Sequence, residues 1–327
     1  MSFALNAPPA FILRDSALKS DPILPKRVAS IDIGTNTILL LIAQVEEGRF
    51  TSLLEKETIV RLGEGVQKNG LLLDAAMARG LETLGHYLID CQAMAVNRIF
   101  AVGTNVLREA KNAGDFLKKA EEKFNLSIEI ISGEEEAQLS YLAVARDLGD
   151  QEKMILVMDV GGGSTEFVLG KGDRISYWKS LPIGSVRFTE QFLHSNPVRK
   201  DEWEEMEREI WKSFRNLPSP PQPSLMTAVG GTATALASVE QGLDQFSYEK
   251  IHHFVLKREA LKSQLDLYRS KPIEERKKIP GLSPTRADVI LAGGTILYLA
   301  MTEFEYPSVL ISCHGVRYGL IYKKLQI

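Results

Sequence analysis

The chain has 327 residues, 44% of them hydrophobic and 25% charged, the make-up of a soluble globular protein long enough for two domains with a core each. No apolar run approaches the ~18 residues of a membrane span. A net charge of −3, from 39 basic and 42 acidic residues, argues against the broad basic face of a nonspecific nucleic-acid binder. The expected partners therefore include neither a membrane nor a nucleic-acid polymer. A smaller polyanion stays open, because a few arginines focused into a cleft outweigh a mildly negative whole.

In chain order, residues 1–27 read as an irregular extension, with Pro8-Pro9, Asp21-Pro22 and Pro25 and no basic start followed by an apolar run. That is not a signal peptide. Cys91 and Cys313 are too few for a disulfide framework, so a reducing cytoplasm is expected. Lys26 to Glu46 reads strand, glycine turn, strand, and Asp74 to Asn97 carries Leu81, Leu84 and Leu88 at helical spacing. Arg98 to Val102 is a short buried-type strand, followed by one helix over about Asn105–Phe124 and a strand over Ile128–Ile131. Ser132 then opens a helix, with Glu135 three residues on in a capping-box pattern.

The pattern restarts with a strand over Met154–Val160, a turn at Gly161–Ser164 and a returning strand over Thr165–Leu169. An amphipathic helix carries Trp203, Met206, Ile210 and Phe214, and the prolines from Pro218 to Pro223 mark a loop. Met226–Val229 reads as a strand running into Gly230-Gly231-Thr232 and a helix. Val289–Ala292 reads as the same arrangement running into Gly293-Gly294-Thr295.

The strongest internal signal is repetition. Asp32-Ile-Gly34-Thr35-Asn36-Thr37 and Asp159-Val-Gly161-Gly162-Gly163-Ser164-Thr165 each place Asp-x-Gly at a strand end and small hydroxyl residues in the turn beyond. Two halves that each begin this way predict two α/β domains with both turns facing one cleft. Glycines bring backbone amides close to a ligand, and successive amides with Ser or Thr hydroxyls bind anions. The alternative is two tight β-turns whose aspartates cap themselves. Asp159 and Asp32 are the natural ligands for a magnesium ion, which takes one or two carboxylates and fills its shell with water and phosphate oxygens.

Thr104 and Arg108 follow a strand end at a helix N-terminus, a ready anion site, and an arginine grips phosphate with two nitrogens. Arg61 and Arg286 are further candidates. Each also reads as an ordinary solvated arginine. Glu134-Glu135-Glu136 complements a helix dipole. If Glu135 closes the capping box, Glu136 is left to face the cleft, where nearby phosphate raises its pKa and suits it to act as a general base. The Gly230-Gly231-Thr232 turn serves either phosphate or packing. His252, His253 and His314 lack metal-ligand spacing and read as structural or surface residues.

Taken together, these motifs resemble the exopolyphosphatase/guanosine pentaphosphate phosphohydrolase (Ppx/GppA) family, within the sugar kinase, heat-shock protein and actin superfamily. The resemblance runs from about Val28 to the C-terminus. It rests on the two Asp-x-Gly turns, Val60-Arg-Leu-Gly-Glu-Gly65, Gly103-Thr-Asn-Val-Leu-Arg-Glu-Ala110, Ser132-Gly-Glu-Glu-Glu-Ala137, Leu181-Pro-Ile-Gly-Ser-Val-Arg187, Gly230-Gly-Thr232 and Arg286-Ala-Asp-Val-Ile290. It implies two actin-like (ribonuclease H-like) domains, over residues 28–150 and 151–312, with a C-terminal helix over 313–327 packing back on the first.

The resemblance also implies roles. Glu136 looks like the base that activates water, and Asp159 and Glu166 like magnesium ligands or water positioners with Asp32 nearby; manganese is the alternative ion. Arg108 looks like a phosphate contact, as do Arg61 and Arg286. The implied activity is release of terminal orthophosphate from inorganic polyphosphate. Alternatives are hydrolysis of guanosine pentaphosphate to the tetraphosphate alarmone of the stringent response, or a catalytically weak sensor of either ligand. Gly103 stands where the family more often has Ala, and Tyr318 replaces a usual acidic residue. Longer members continue into helical C-terminal domains, so an extended channel for polyphosphate is expected to be missing or built by a homodimer.

Overall fold

The computed structural model describes residues 26–222 and 224–327. Residues 1–25 of the expected extension, and Pro223 of the proline loop, lie outside them. Lys26 and Arg27 already belong to the first strand.

Two sheets share one plan. The first contains β1 (Lys26–Ile33), β2 (Thr37–Glu46), β3 (Arg49–Ile59), β4 (Arg98–Gly103) and β5 (Glu129–Ile130), in the order β3-β2-β1-β4-β5. The second contains β6 (Met154–Val160), β7 (Thr165–Lys171), β8 (Arg174–Leu181), β9 (Leu225–Val229), β10 (Val255–Lys257) and β11 (Ser308–Ile311). Its order is β10-β11-β9-β6-β7-β8. Read from β8, the second sheet repeats the first strand for strand as far as β11, and β10 extends it. Each half opens with an antiparallel meander (β1 to β3, β6 to β8), then adds parallel strands. Parallel strands need helical crossovers, which here cover the sheet faces. This is the duplicated α/β plan expected from the two repeated turns.

The central strands are buried on both faces. Ile31, Ile33, Ile38 and Leu40 pack in one core with the helix Asp74–Ala93, and Leu156, Met158 and Phe167 pack in the core of the second half. Between the halves runs the helix Gly133–Leu148. Leu139 and Ala143 pack with Val28, Leu41, Val316 and Leu320 of the first half. Its Ala137, Tyr141 and Val144 pack with Ile155, Val157 and Val168 of the second. The last helix, Val316–Leu325, lies against Gly133–Leu148 and β1. Three arginine–carboxylate pairs also cross between the halves: Arg61–Asp288 at 2.8 Å, Arg187–Glu109 at 2.5 Å and Arg286–Glu57.

Two elements differ from the sequence reading. Val289–Ala292 is not a strand but the entry to a helix, Ile290–Glu303, nearly all of whose residues are buried. A four-residue apolar run has no period that separates the two states, and burial on all sides suits a helix as well as a strand. The single helix expected over Asn105–Phe124 is two, Asn105–Glu109 and Ala113–Phe124, separated where Ala110 turns to extended backbone. The side chain of Asn112 fills that break, receiving the Leu72 amide and donating to its carbonyl.

Candidate active site

The two repeated turns close identically: the Gly34 amide donates to the Thr37 carbonyl at 2.9 Å, and the Gly161 amide to that of Ser164 at 3.0 Å. The register of each strand pair sets its aspartate at the turn mouth, Asp32 opposite Leu39 and Asp159 opposite Glu166. The turns meet face to face. A Cβ on Gly163 would lie 2.1 Å from Asn105 Oδ1 and 2.9 Å from Thr35 Oγ1, so only glycine permits this approach. Among the described residues, the amides of Thr35, Asn36, Gly162 and Gly163 have no hydrogen-bond partner in the chain. Both side-chain polar atoms of Asn36 are buried and equally unpartnered. An anion would satisfy these donors.

These turns line a cavity of ≈ 130 Å³, room for about four waters. Its wall includes Asp32, Glu136, Asp159, Thr104, Arg286, and the residues Gly34–Thr37, Gly161–Ser164 and Gly230–Thr232 expected from the sequence. Thr165 lies just behind, its hydroxyl donating to the Ile183 carbonyl. Gly231 lets Arg286 pass directly over the backbone, since a Cβ there would lie 2.0 Å from Nη2. Arg286 also pairs with Glu57 of β3.

Glu136 arrives by the local chemistry of its helix. Ser132 caps the N-terminus, accepting the Glu135 amide at 3.1 Å. The return half of the expected capping box is replaced by a pair between the Glu135 side chain and Lys323 at 2.5 Å. Glu136, one residue on, turns into the cleft with 8% of its surface exposed. One helical turn later on the same stripe, Ser140 donates to Asp159 Oδ2 at 2.6 Å. Ser140 carries no motif of its own, and its i+4 spacing from Glu136 is the one signal in the sequence that points to it.

The electrostatics of the cleft are those of crowded, poorly hydrated carboxylates. Burial pushes Asp32 up to about 8, with help from the charges of Glu136 and Asp159 and against Arg317. Burial lifts Glu136 to about 7 against the opposing pull of Arg108. Asp159 and Glu166 are raised as well, by burial first. Asp32 Oδ1 is buried without a partner. This donor set suits a hard divalent cation, which removes the repulsion and satisfies the orphaned oxygen.

Not every expected residue reaches the cavity wall. Glu166 stands behind Asp159, 1% exposed, accepting from Ser180 at 2.8 Å. Arg108 also lies behind the wall, its Nη1 donating to Glu136 at 2.7 Å and to the Ile131 carbonyl at 2.8 Å. Arg61 lies away from the cavity in its pair with Asp288. Conversely, Arg317 and Glu57 line the wall without having been singled out. Arg317 Nε is buried and unpartnered, while its Nη2 pairs with Glu55.

Comparison with known proteins shows the family. The sequence model of the Ppx/GppA phosphatase family matches residues 41–327. A curated relative, the bifunctional 3-dehydroquinate synthase/phosphatase of Fusobacterium nucleatum subsp. nucleatum, is 34% identical over 91% of this chain. The aligned chain spans 46% of that relative's length. Among solved structures, an Aquifex aeolicus Ppx/GppA protein is 34% identical, with a TM-score of 0.79 over 93% of this chain and 98% of its own. An exopolyphosphatase from Cytophaga hutchinsonii is 25% identical, with a TM-score of 0.84 over 92% and 98%. With its two glycine turns and buried carboxylates gathered in one cleft, the chain belongs to the Ppx/GppA phosphatase family.

Proposed function

We propose that this phosphatase releases terminal orthophosphate from inorganic polyphosphate by direct in-line attack of water. The observation that carries the reading is the convergence of a buried carboxylate, Glu136, with two turns whose amides lack partners in the same small cavity. The cavity holds a phosphoryl group and little more, which suits attack on a chain end. Glu136 accepts the water proton; burial holds its pKa near 7, where a base accepts a proton readily and is still substantially ionised. Amides of Thr35, Asn36, Gly162 and Gly163 stabilise the phosphoryl oxygens as charge develops on them.

Arg108 opposes the effect of burial and keeps Glu136 partly ionised. Asp32 and Asp159 would hold the magnesium ion, or manganese in its place, with Glu166 adding negative charge behind them. The ion, when bound, neutralises phosphoryl oxygen charge.

One observation favours a second substrate, guanosine pentaphosphate. A second cavity of ≈ 720 Å³ adjoins the first, and Glu57, Gly231, Thr234, Phe246, Arg286 and Arg317 line both. Its wall balances Lys56, Arg286 and Arg317 against Glu55, Glu57 and Asp244, and exposes Phe246. A neutral chamber with an aromatic face suits a nucleoside better than a polyanion. Phosphate release with magnesium from short polyphosphate, long polyphosphate and guanosine pentaphosphate, run in parallel, tests both readings. Preference for polyphosphate supports the first and preference for the pentaphosphate the second. Binding without release from any of them would leave a sensor and overturn the enzymatic reading of this chain.

A further inference from the structure

Asp147, three turns after Glu136 on the stripe that also carries Ser140, meets three of the chain's five histidines at the other end of the linking helix. His252 and His253 come from the second half, and His314 from the segment between β11 and the last helix. His252 Nε2 lies 3.2 Å from Asp147 Oδ1, His253 Nε2 lies 2.8 Å from Oδ2, and His314 Nδ1 lies 3.4 Å from Oδ1. Single ligand atoms from Asp147, His252 and His314 all fall within 4.8 Å of one another. These three side chains are 10–12% exposed, whereas His253, 46% exposed, stands at the open edge.

We propose that Asp147, His252 and His314 form a binding site for a transition-metal ion of the zinc class, separate from the carboxylates of the cleft. Two observations carry this beyond a hydrogen-bonded cluster. First, His314 Nδ1 is buried and makes no hydrogen bond, although a carboxylate oxygen stands 3.4 Å away. Its other nitrogen is engaged with the Tyr248 hydroxyl at 2.8 Å, which fixes the ring as an outer partner fixes a ligating imidazole. Second, two of the three spacings fit, and the two imidazoles stack at 4.5 Å between ring centroids. Ligand atoms of a tetrahedral ion bound at about 2.0–2.1 Å stand about 3.3 Å apart, and Asp147 Oδ1 already stands 3.2 and 3.4 Å from the two imidazole nitrogens. Two imidazoles and one carboxylate select zinc, cobalt or nickel over magnesium, which prefers an all-oxygen shell.

The metal-free wiring defines the cost of loading. His252 Nδ1 accepts the Cys313 amide at 3.2 Å, so its proton resides on Nε2, facing Asp147. A metal on Nε2 moves that proton to Nδ1 and releases the Cys313 amide. Cys313 and Ser312 line the catalytic cavity, so loading is coupled to the cavity wall.

Cobalt(II), added to chelator-treated protein in saturating magnesium, reads this site without reporting on oxygen-only sites. One equivalent with visible ligand-field bands of a low-coordinate nitrogen/oxygen site, displaced by zinc, is the expected result. Tyr248→Phe should weaken cobalt binding by about 10–100-fold while keeping the bands, and His314→Gln should abolish them. Absence of bands in the folded wild-type protein overturns the proposal whatever the variants do. Bands that persist unchanged in His314→Gln place the metal elsewhere and overturn it equally. A purely hydrogen-bonded cluster would lower the melting temperature of the variants and give no bands in any protein.

Discussion

Asp32 and Asp159 end equivalent central strands beside turns closed by equivalent hydrogen bonds, yet their oxygens are treated differently. Asp159 receives the Ser140 hydroxyl from the linking helix, whereas Asp32 Oδ1 is buried with nothing to accept. The second turn is therefore braced by the linking helix, and the first has a carboxylate oxygen with no partner in the chain. A repeated motif, used twice, has one wall with its carboxylate braced and one with its carboxylate unpartnered.

The comparison breaks most severely where the two turns touch. Gly163→Val puts a branched side chain into the space of Asn105 and Thr35 and pushes the turns apart. A displacement of about 1 Å at a reacting centre costs on the order of 100-fold in rate, so kcat/KM for phosphate release should fall at least that far, with both halves still folded by circular dichroism. Rates within a few-fold of wild type would mean that the closed approach of the turns is not the reactive arrangement.

Replacing each aspartate by asparagine sharpens the contrast. Asp32 has a raised pKa, so the folded state loses stability as pH rises from 3.8 toward 8 without a cation. Without magnesium at neutral pH, Asp32→Asn should stabilise the protein by about 1–3 kcal/mol, whereas Asp159→Asn should gain less because Asp159 already has Ser140. Both should lose the magnesium-dependent rise in melting temperature. A magnesium shift that survives in both variants would remove these residues as its cause.

The smallest effect lies at β3. Burial pushes Glu57 up, but the Arg286 charge and hydrogen bond outweigh it and leave its pKa below 4.5; Glu55 is held low in the same way by Arg317 and Tyr318. Depressed carboxylates stabilise above their unfolded pKa, and that stabilisation disappears as pH falls through the folded values. Glu57 has 41% of its side chain exposed, so its share should be about 1 kcal/mol or less. Urea midpoints measured from pH 7 down to pH 3 should therefore fall less steeply in Glu57→Gln. An unchanged pH slope would show that the Arg286 pair contributes nothing across the cleft.

What could be read from residues alone followed the range of the physics. The two turns were legible because Asp, Gly and Thr or Ser carry their conformation and chemistry locally. The Ser132 cap placed Glu136 for the same reason. β3 and β8 are not legible in the sequence, since strands such as Arg49–Ile59, half-exposed at a sheet edge, mix polar and apolar residues without a clean alternation. Arg61 and Arg108 look alike in sequence, and only tertiary packing gives one Asp288 from the second half and the other Glu136 from the linking helix. The histidine cluster was hidden altogether, because Asp147, His252 and His314 are brought together solely by the crossing of the chain between its halves.

The central claim is that Glu136 takes the proton from attacking water in the cavity between the turns. Glu136→Gln, assayed for phosphate release from polyphosphate with magnesium alongside direct measurement of polyphosphate binding, tests it most directly. A general base contributes about 10²–10⁴-fold, so the account predicts a loss of that size in kcat with binding retained. Near wild-type turnover by the folded variant would contradict it and assign the proton to another group.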